Sequence, residues 1–380
     1  MKSDSNLLKL TDKNILLISP EAWEHIFVSK HHYAIHLGRR NNRVFFLNPP
    51  GKFKLVSETE YQNVRSVHYT GFPKGLRYFP GPLQRYFIRR KFIELQKLCG
   101  VAFDIAWSFD NSVFFDLSAL PSKVLTISHI VDSTQNFQFD KAASTASLCL
   151  GVTREIVNRL KKANPRSFFV QHGYAQPSGT AKIPLPGTHA VRVGYAGNLD
   201  LRYIDWKLLD MVTSANAEVG FYFVGPYSEN RQVDRLKRKQ NTYFLGKLPA
   251  AQLGSFYREM DVLLLCYLAD DYPDHLSNAH KMMEYLGSGK VVVATRTSEY
   301  EALKYRGLLV MSKRNSEFAD KLSQVLQEIG KWNAPEKCEL RMRWAQDNSY
   351  DRQIDRIEEA VQSTLKMEMR IWNYLRTAAS

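Results

Sequence analysis

The sequence predicts an α/β protein built from two successive doubly wound halves, each a parallel sheet with helices on both faces. Three observations predict it. The chain has 380 residues, 44% of them hydrophobic and 24% charged, which exceeds what one core usually serves and matches the composition of a folded globular protein. Short apolar runs alternate with stretches of helical period along most of the length, and such alternation builds parallel sheets covered on both faces. Residues 176–189, with three prolines, two glycines and no periodicity, interrupt the alternation, which then starts again.

In chain order, residues 15–19 read as a strand, 21–39 as a helix and 44–47 as a second strand, a β-α-β opening. Further strands are expected at 66–69, 104–109, 123–128, 147–152 and 167–171, with helices at 83–98 and 153–162. The second half repeats the scheme with strand 191–196, helix 204–213, strands 219–224 and 242–245, helix 250–258 and strand 262–267. Helix 278–286, strand 290–295, a helix near 298, strand 307–311 and helix 315–329 complete it. Past residue 335 the pattern is helical with no strand to follow. The expected domains are 1–176, 190–334 and a helical tail, 335–380, able to cross back onto the first half.

A formal charge of +14 points to polyanionic partners: phosphorylated substrates, an anionic membrane face or nucleic acid. Arg85, Arg89, Arg90, Lys91 and Lys97 interleave with Tyr86, Phe87, Ile88, Phe92, Ile93 and Leu95 at helical spacing. That pattern suits first a solvated helix face over a core stripe, and next a helix docked on anionic lipid. No nucleic-acid recognition motif accompanies the charge, so nucleic acid is not an expected partner. Cys99, Cys149, Cys266 and Cys338 stand far apart without a C-x-x-C pair, as expected of reduced thiols. The polar first residues lack a signal-peptide core and no run is long and apolar enough to span a membrane. A cytoplasmic protein, peripheral on the inner membrane face if the basic helix docks, is the expectation.

Neither half carries G-x-G-x-x-G after its first strand, and there is no Walker loop, H-E-x-x-H or EF-hand, so dinucleotide, ATPase and zinc-hydrolase readings lack support. The informative stretch is SNAHKMMEYLGSGKVVVAT, 277–295, preceded by the buried run DVLLLCY, 261–267. It reads as strand, loop, a short helix capped at Ser277 or Asn278, a glycine stop and a second strand. Ligands of open parallel sheets bind beyond the carboxyl ends of the strands, where helix N-termini favour anions. Lys281 adds a full charge to that end, and Glu284, three residues on, can accept hydrogen bonds from the vicinal hydroxyls of a ribose. On an anonymous helix the same two residues would be an exposed ion pair worth a few tenths of a kcal/mol.

Context favours the first reading, because S-N-x-x-K-x-x-E-Y-L-x-x-G-K-V-V-V-A-T resembles the donor-binding segment of GT-B glycosyltransferases, particularly retaining enzymes akin to family 4. VGYAGN at 193–198 resembles the first strand and glycine turn of their C-terminal domain, FVGP at 223–226 its second strand end, and YFLG at 243–246 with Leu248 and Pro249 the segment beside the base. SLCLGVTR at 147–154 and HGY at 172–174 resemble the end of their N-terminal domain. The resemblance covers residues from about 14 to 350, most specifically after 190.

It implies two Rossmann-like domains facing a cleft, a nucleoside diphosphate sugar as donor substrate, no separate cofactor, no metal, and a glycan or lipid-linked acceptor in polysaccharide or glycolipid synthesis. Lys281 would meet the diphosphate and Glu284 the ribose, with Ser277, Asn278, Gly197, Asn198, Arg202 and Gly246 completing the donor site. His129 in SHIVD, 128–132, would face the transferred sugar with Asp132 nearby, although the position equally suits a histidine that closes a strand end. The Asp270–Asp271 pair reads as loop rather than as a cation bridge. One departure stands out: where relatives carry the first glutamate of a Glu-x7-Glu pattern, this chain has Leu276. The competing readings are a nucleotide-sugar 2-epimerase of the same fold, a basic nucleic-acid-binding protein and, given Leu276, a catalytically dead sugar-binding relative.

Overall fold

The computed structural model describes residues 9–132, 137–177, 183–272 and 281–378. They form two compact units, one comprising the chain up to 172 together with the segment from 350, the other residues 173–349. In the first, β1 (Asn14–Ile18), α1 (Ser29–Arg39), β2 (Arg43–Leu47), β3 (Leu55–Glu58) and β4 (Val64–His68) are followed by α2 (Gly81–Cys99) and β5 (Ile105–Ser108). Then come β6 (Leu125–Ile130), α3 (Phe139–Thr145), β7 (Leu148–Gly151), α4 (Arg154–Ala163) and β8 (Ser167–Phe169). The sheet order is β3-β4-β2-β1-β5-β6-β7-β8, parallel except for the antiparallel edge strand β3. Its central strands β1, β2 and β5 are almost wholly buried, mostly apolar runs, as sheets covered on both faces require.

The second unit contains β9 (Val191–Ala196), α5 (Trp206–Ala215), β10 (Val219–Val224), α6 (Arg231–Lys237), β11 (Thr242–Gly246), α7 (Ala250–Glu259) and β12 (Val262–Leu265). It continues with α8 (Lys281–Gly287), β13 (Val291–Ala294), α9 (Glu301–Tyr305), β14 (Val310–Met311), α10 (Phe318–Gln327), α11 (Ile329–Trp332) and α12 (Pro335–Asp347). Its strands are all parallel in the order β11-β10-β9-β12-β13-β14. Strand order reverses at β1 in one unit and β9 in the other, which marks the carboxyl ends around these strands as the places where such sheets take ligands.

The tail, expected as one piece, divides. Helix α12 belongs to the second unit, whereas α13 (Tyr350–Ala378) belongs to the first. There Ile354 and Ile357 are fully buried, Tyr350 meets the ring of Tyr33, and Arg40 of α1 pairs with Asp355 at 2.7 Å. His36 of α1 lies 3.0 Å from Asp351, a hydrogen bond that holds the Asp351 carboxyl below its usual range.

A helix expected from residue 21 starts instead at Ser29. Upstream, the Trp23 amide donates to the Asn48 side chain at 2.9 Å, and the rings of Trp23 and Phe27 pack with His31 and Tyr61. These contacts hold the segment as a loop. Strand β3 and helices α3 and α6 were not anticipated. The four cysteines are free, and no described helix is long and apolar enough to cross a membrane.

In α2 the residues sort cleanly by face. Ile88, Phe92 and Leu95 are fully buried, worth about 1.5–3 kcal/mol apiece, and Arg85, Tyr86, Arg89, Arg90, Ile93 and Lys97 are exposed. Lys91 departs from the expected basic face: it is buried, with its ammonium 3.0 Å from Glu94 and over the ring of Tyr69.

Candidate functional site

Three neighbouring strands of the second unit end in glycines with positive φ: Gly197 after β9 (+151°), Gly225 after β10 (+134°) and Gly246 closing β11 (+66°). Gly197 donates its N–H to the Val224 carbonyl at 2.8 Å, and Gly225 donates to that of Gly246 at 2.9 Å. A Cβ on Gly225 would overlap the carbonyl of Gly197, and one on Gly197 would overlap the ammonium of Lys281. Only glycine fits such close approach at such angles. The outcome is a strip of bare backbone beyond the carboxyl edge of the sheet.

Helix α8 is fixed against this strip by its tyrosine. The Ala196 N–H donates to the Tyr285 hydroxyl at 2.8 Å, and that hydroxyl lies 3.3 Å from the Ala196 carbonyl. One turn earlier on the same face, Lys281 reaches over Gly197. Its ammonium donates to the Tyr195 hydroxyl at 2.9 Å and sits 4.1 Å from the centre of that ring. Glu284 turns toward α7, where the Tyr257 hydroxyl donates to its carboxylate at 2.6 Å. Burial raises the Glu284 carboxyl above the usual range, against the hydrogen bond from Tyr257 and the charge of Lys281. Both residues are half-buried, unlike an exposed surface pair.

The structure thus brings together Lys281, Glu284, Gly197 and Gly246 on adjoining elements. Asn198 follows on the turn, its side-chain oxygen accepting from the Asp200 N–H at 2.9 Å. Arg202 is exposed and spends its guanidinium on the Tyr203 hydroxyl and on the faces of Tyr203 and Tyr272. Ser277, Asn278 and Leu276 lie outside the described residues. Asp270 accepts from the Asn315 N–H at 3.0 Å. No cluster suited to holding a metal ion occurs among the described residues.

His129 is enclosed by its neighbours. It lies on β6 with 0% exposure, stacked on Phe109 at 4.6 Å and receiving the Trp107 indole N–H at 3.3 Å. Burial lowers its pKa to about 3, so the ring is neutral. A side chain enclosed in this way is a core residue and has no open face for a sugar. Asp132 is exposed in the segment after β6.

Residues 190–328, which contain the glycine strip and α8, match the family described as Glycosyl transferases group 1. That stretch is a glycosyl transferases group 1 domain, and the chain has the GT-B fold. Solved structures share its fold over nearly their whole length. The UDP-forming trehalose-phosphate synthase of Burkholderia xenovorans aligns with a TM-score of 0.65 at 11% identity, over 93% of this chain and 99% of its own. Sucrose-phosphate synthase of Thermosynechococcus elongatus gives 0.63 at 12%, over 97% and 100%. Anabaena Alr3699/HepE, solved with UDP and glucose, gives 0.63 at 14%, over 92% and 100%. No match to a curated protein sequence was found.

Sequence reasoning missed the three tyrosines that hold this site. Tyr195 stands two residues before Gly197 inside a motif already singled out, so its place was available. Tyr257 carried no signal, because its contact with Glu284 spans 27 residues.

Proposed function

We propose that this glycosyltransferase moves a hexose from a nucleoside diphosphate sugar to a glycan or lipid-linked acceptor at an anionic membrane surface, with retained anomeric configuration and no metal ion, in polysaccharide or glycolipid assembly. The observation that carries the proposal is the Lys281 ammonium held over a side-chain-free strand end, with a carboxylate one turn on. Bare backbone lets a diphosphate approach closely. As the anomeric C–O bond breaks, negative charge grows on the departing diphosphate, and a cation already fixed in place stabilises it without reorganising. Glu284 keeps acceptor capacity for the vicinal hydroxyls of ribose beyond the bond it receives from Tyr257. His129, closed into the core, takes no part in this chemistry.

The membrane part of the proposal is supported by α2, whose exposed Arg85, Arg89 and Arg90 flank exposed Tyr86 and Ile93. Near an anionic bilayer each such cation is worth about 1 kcal/mol. Replacing the three arginines by glutamate is expected to abolish co-sedimentation with phosphatidylglycerol vesicles, and equal sedimentation would remove the membrane from the proposal.

Calorimetric titration with UDP-, GDP- and dTDP-linked sugars tests the donor assignment. One series is expected to bind, and Lys281→Ala to weaken it about 100-fold with the circular dichroism unchanged. Unaltered affinity in that variant would refute the assignment.

A further inference from the structure

The first unit has its own concavity at the carboxyl edge of its sheet. A groove of about 480 Å³ is lined by the segments that follow β2, β4, β5 and β6, within the size range of small-ligand sites, about 300–1,000 Å³. Phe72, Val113 and Phe115 line its wall. Among the described residues, Arg77 is the one charged residue in the lining. Its guanidinium lies 4.6 Å from the ring centre of Tyr78 and 5.3 Å from that of Phe137, and it makes no ion pair among the described residues. Tyr78 is 75% exposed, and Phe137 is exposed as well.

The carboxylates nearest in sequence are already engaged. Asp110 is buried and accepts from the Ser112 N–H at 2.7 Å, and Asp116 is buried 3.3 Å from Lys141. Neither carboxylate lines the groove, so the charge in its described lining is that of Arg77. Stacking on rings fixes the plane of an arginine while leaving its N–H edge free, and that planar fork matches phosphate oxygens two at a time.

We infer that this groove binds a phosphorylated lipid, with the phosphate on Arg77 and the first chain carbons against the aromatic wall. The inference rests on the reading of the acceptor as lipid-linked and places that lipid. The lining disfavours a free glycan, because sugar hydroxyls pressed on phenyl and isopropyl groups would lose hydrogen bonds to water without replacement. Position also fits an amphiphile. The Gln84 side chain of α2 donates to the carbonyls of Arg77 and Phe79, each at 2.9 Å, tying the groove's rim to the helix whose next exposed side chains are Leu83, Arg85, Tyr86, Arg89 and Arg90. A chain leaving the groove along that helix runs over apolar side chains flanked by cations.

The test uses the full chain and decyl phosphate below its micelle concentration, followed by calorimetry. Saturable binding is expected, with inorganic phosphate, decanoate and decyl maltoside each at least about 10-fold weaker, and with a loss of about 10-fold or more in Arg77→Gln. Tyr78→Ser, at an exposed position, should weaken binding also. Equal affinity for decyl maltoside, for phosphate alone or for decanoate would overturn the assignment, as would an Arg77→Gln protein that binds decyl phosphate unchanged. Titration of the same variants with UDP separates this result from the donor reading: both should bind it like the parent chain. A parent chain that binds decyl phosphate but no nucleotide would sink the donor reading and leave the groove standing.

Discussion

The carboxyl edges of the two sheets meet solvent in opposite ways. In the second unit three adjacent strands finish in glycine, and the edge presents backbone and one fixed ammonium. In the first, the strand ends and the residues after them carry Trp107, Phe109, His129 and Tyr69, all fully buried, and the groove beside them has aromatic walls with a single arginine among its described lining residues. One topology therefore supports two recognition logics. Bare backbone with a cation suits a small charged group, whereas ring surfaces with a cation suit an apolar group bearing one charge. The difference lies in which residues end the strands, since the path of the chain is alike in both.

The comparison breaks most visibly at Gly225. Alanine there must take a left-handed angle and overlap Gly197, so a loss of about 3 kcal/mol is expected, seen as a fall in Tm of roughly 6–12 °C together with loss of nucleotide binding. An unshifted Tm would mean that the strip tolerates a side chain.

Acidity probes the same edge through Glu284. Its ionisation lies above the ordinary value of 4.5, so the protonated form persists to higher pH than usual and the carboxylate proposed to accept from ribose disappears as pH falls. Donor affinity should accordingly drop on acidification, and Glu284→Gln should bind about 10-fold more weakly near neutrality with that dependence gone. A flat affinity for the parent chain between about pH 4 and 8 would contradict the assignment.

Smaller effects sharpen the contrast. Tyr195→Phe keeps the ring under the Lys281 ammonium and removes the hydroxyl, so donor affinity should weaken by about 2- to 12-fold, the worth of one hydrogen bond. No change would assign the positioning of Lys281 to the ring alone. Least of all should His129→Phe matter, with kcat within about 3-fold of the parent. A loss of about 100-fold would return this histidine to catalysis.

Strands β9 and β10 coincide with their expected residues because each is an apolar run between loops, and burial on both faces leaves a continuous signature. Edge strand β3 escaped notice since Leu55–Glu58 is partly exposed and lacks such a run. Helices α3 and α6 have seven residues each, too few to show a period. Lys281 and Glu284 were legible because one helical turn sets them together. Tyr257 and Tyr285 were not, as their partners are chosen by the packing of α7, α8 and β9. The two readings of His129 could not be separated for a related reason: a strand end in the sequence says nothing of the rings that two other segments stack around it.

Helix α13 has a consequence for how the protein is made. Its buried isoleucines and its bonds to His36 and Arg40 complete a lobe whose other parts precede residue 173. The lobe begun first on the ribosome is thus finished last, after the intervening lobe has emerged whole. Until then α1 waits with an uncovered flank, and a nascent chain halted in the middle lobe would present that flank to chaperones.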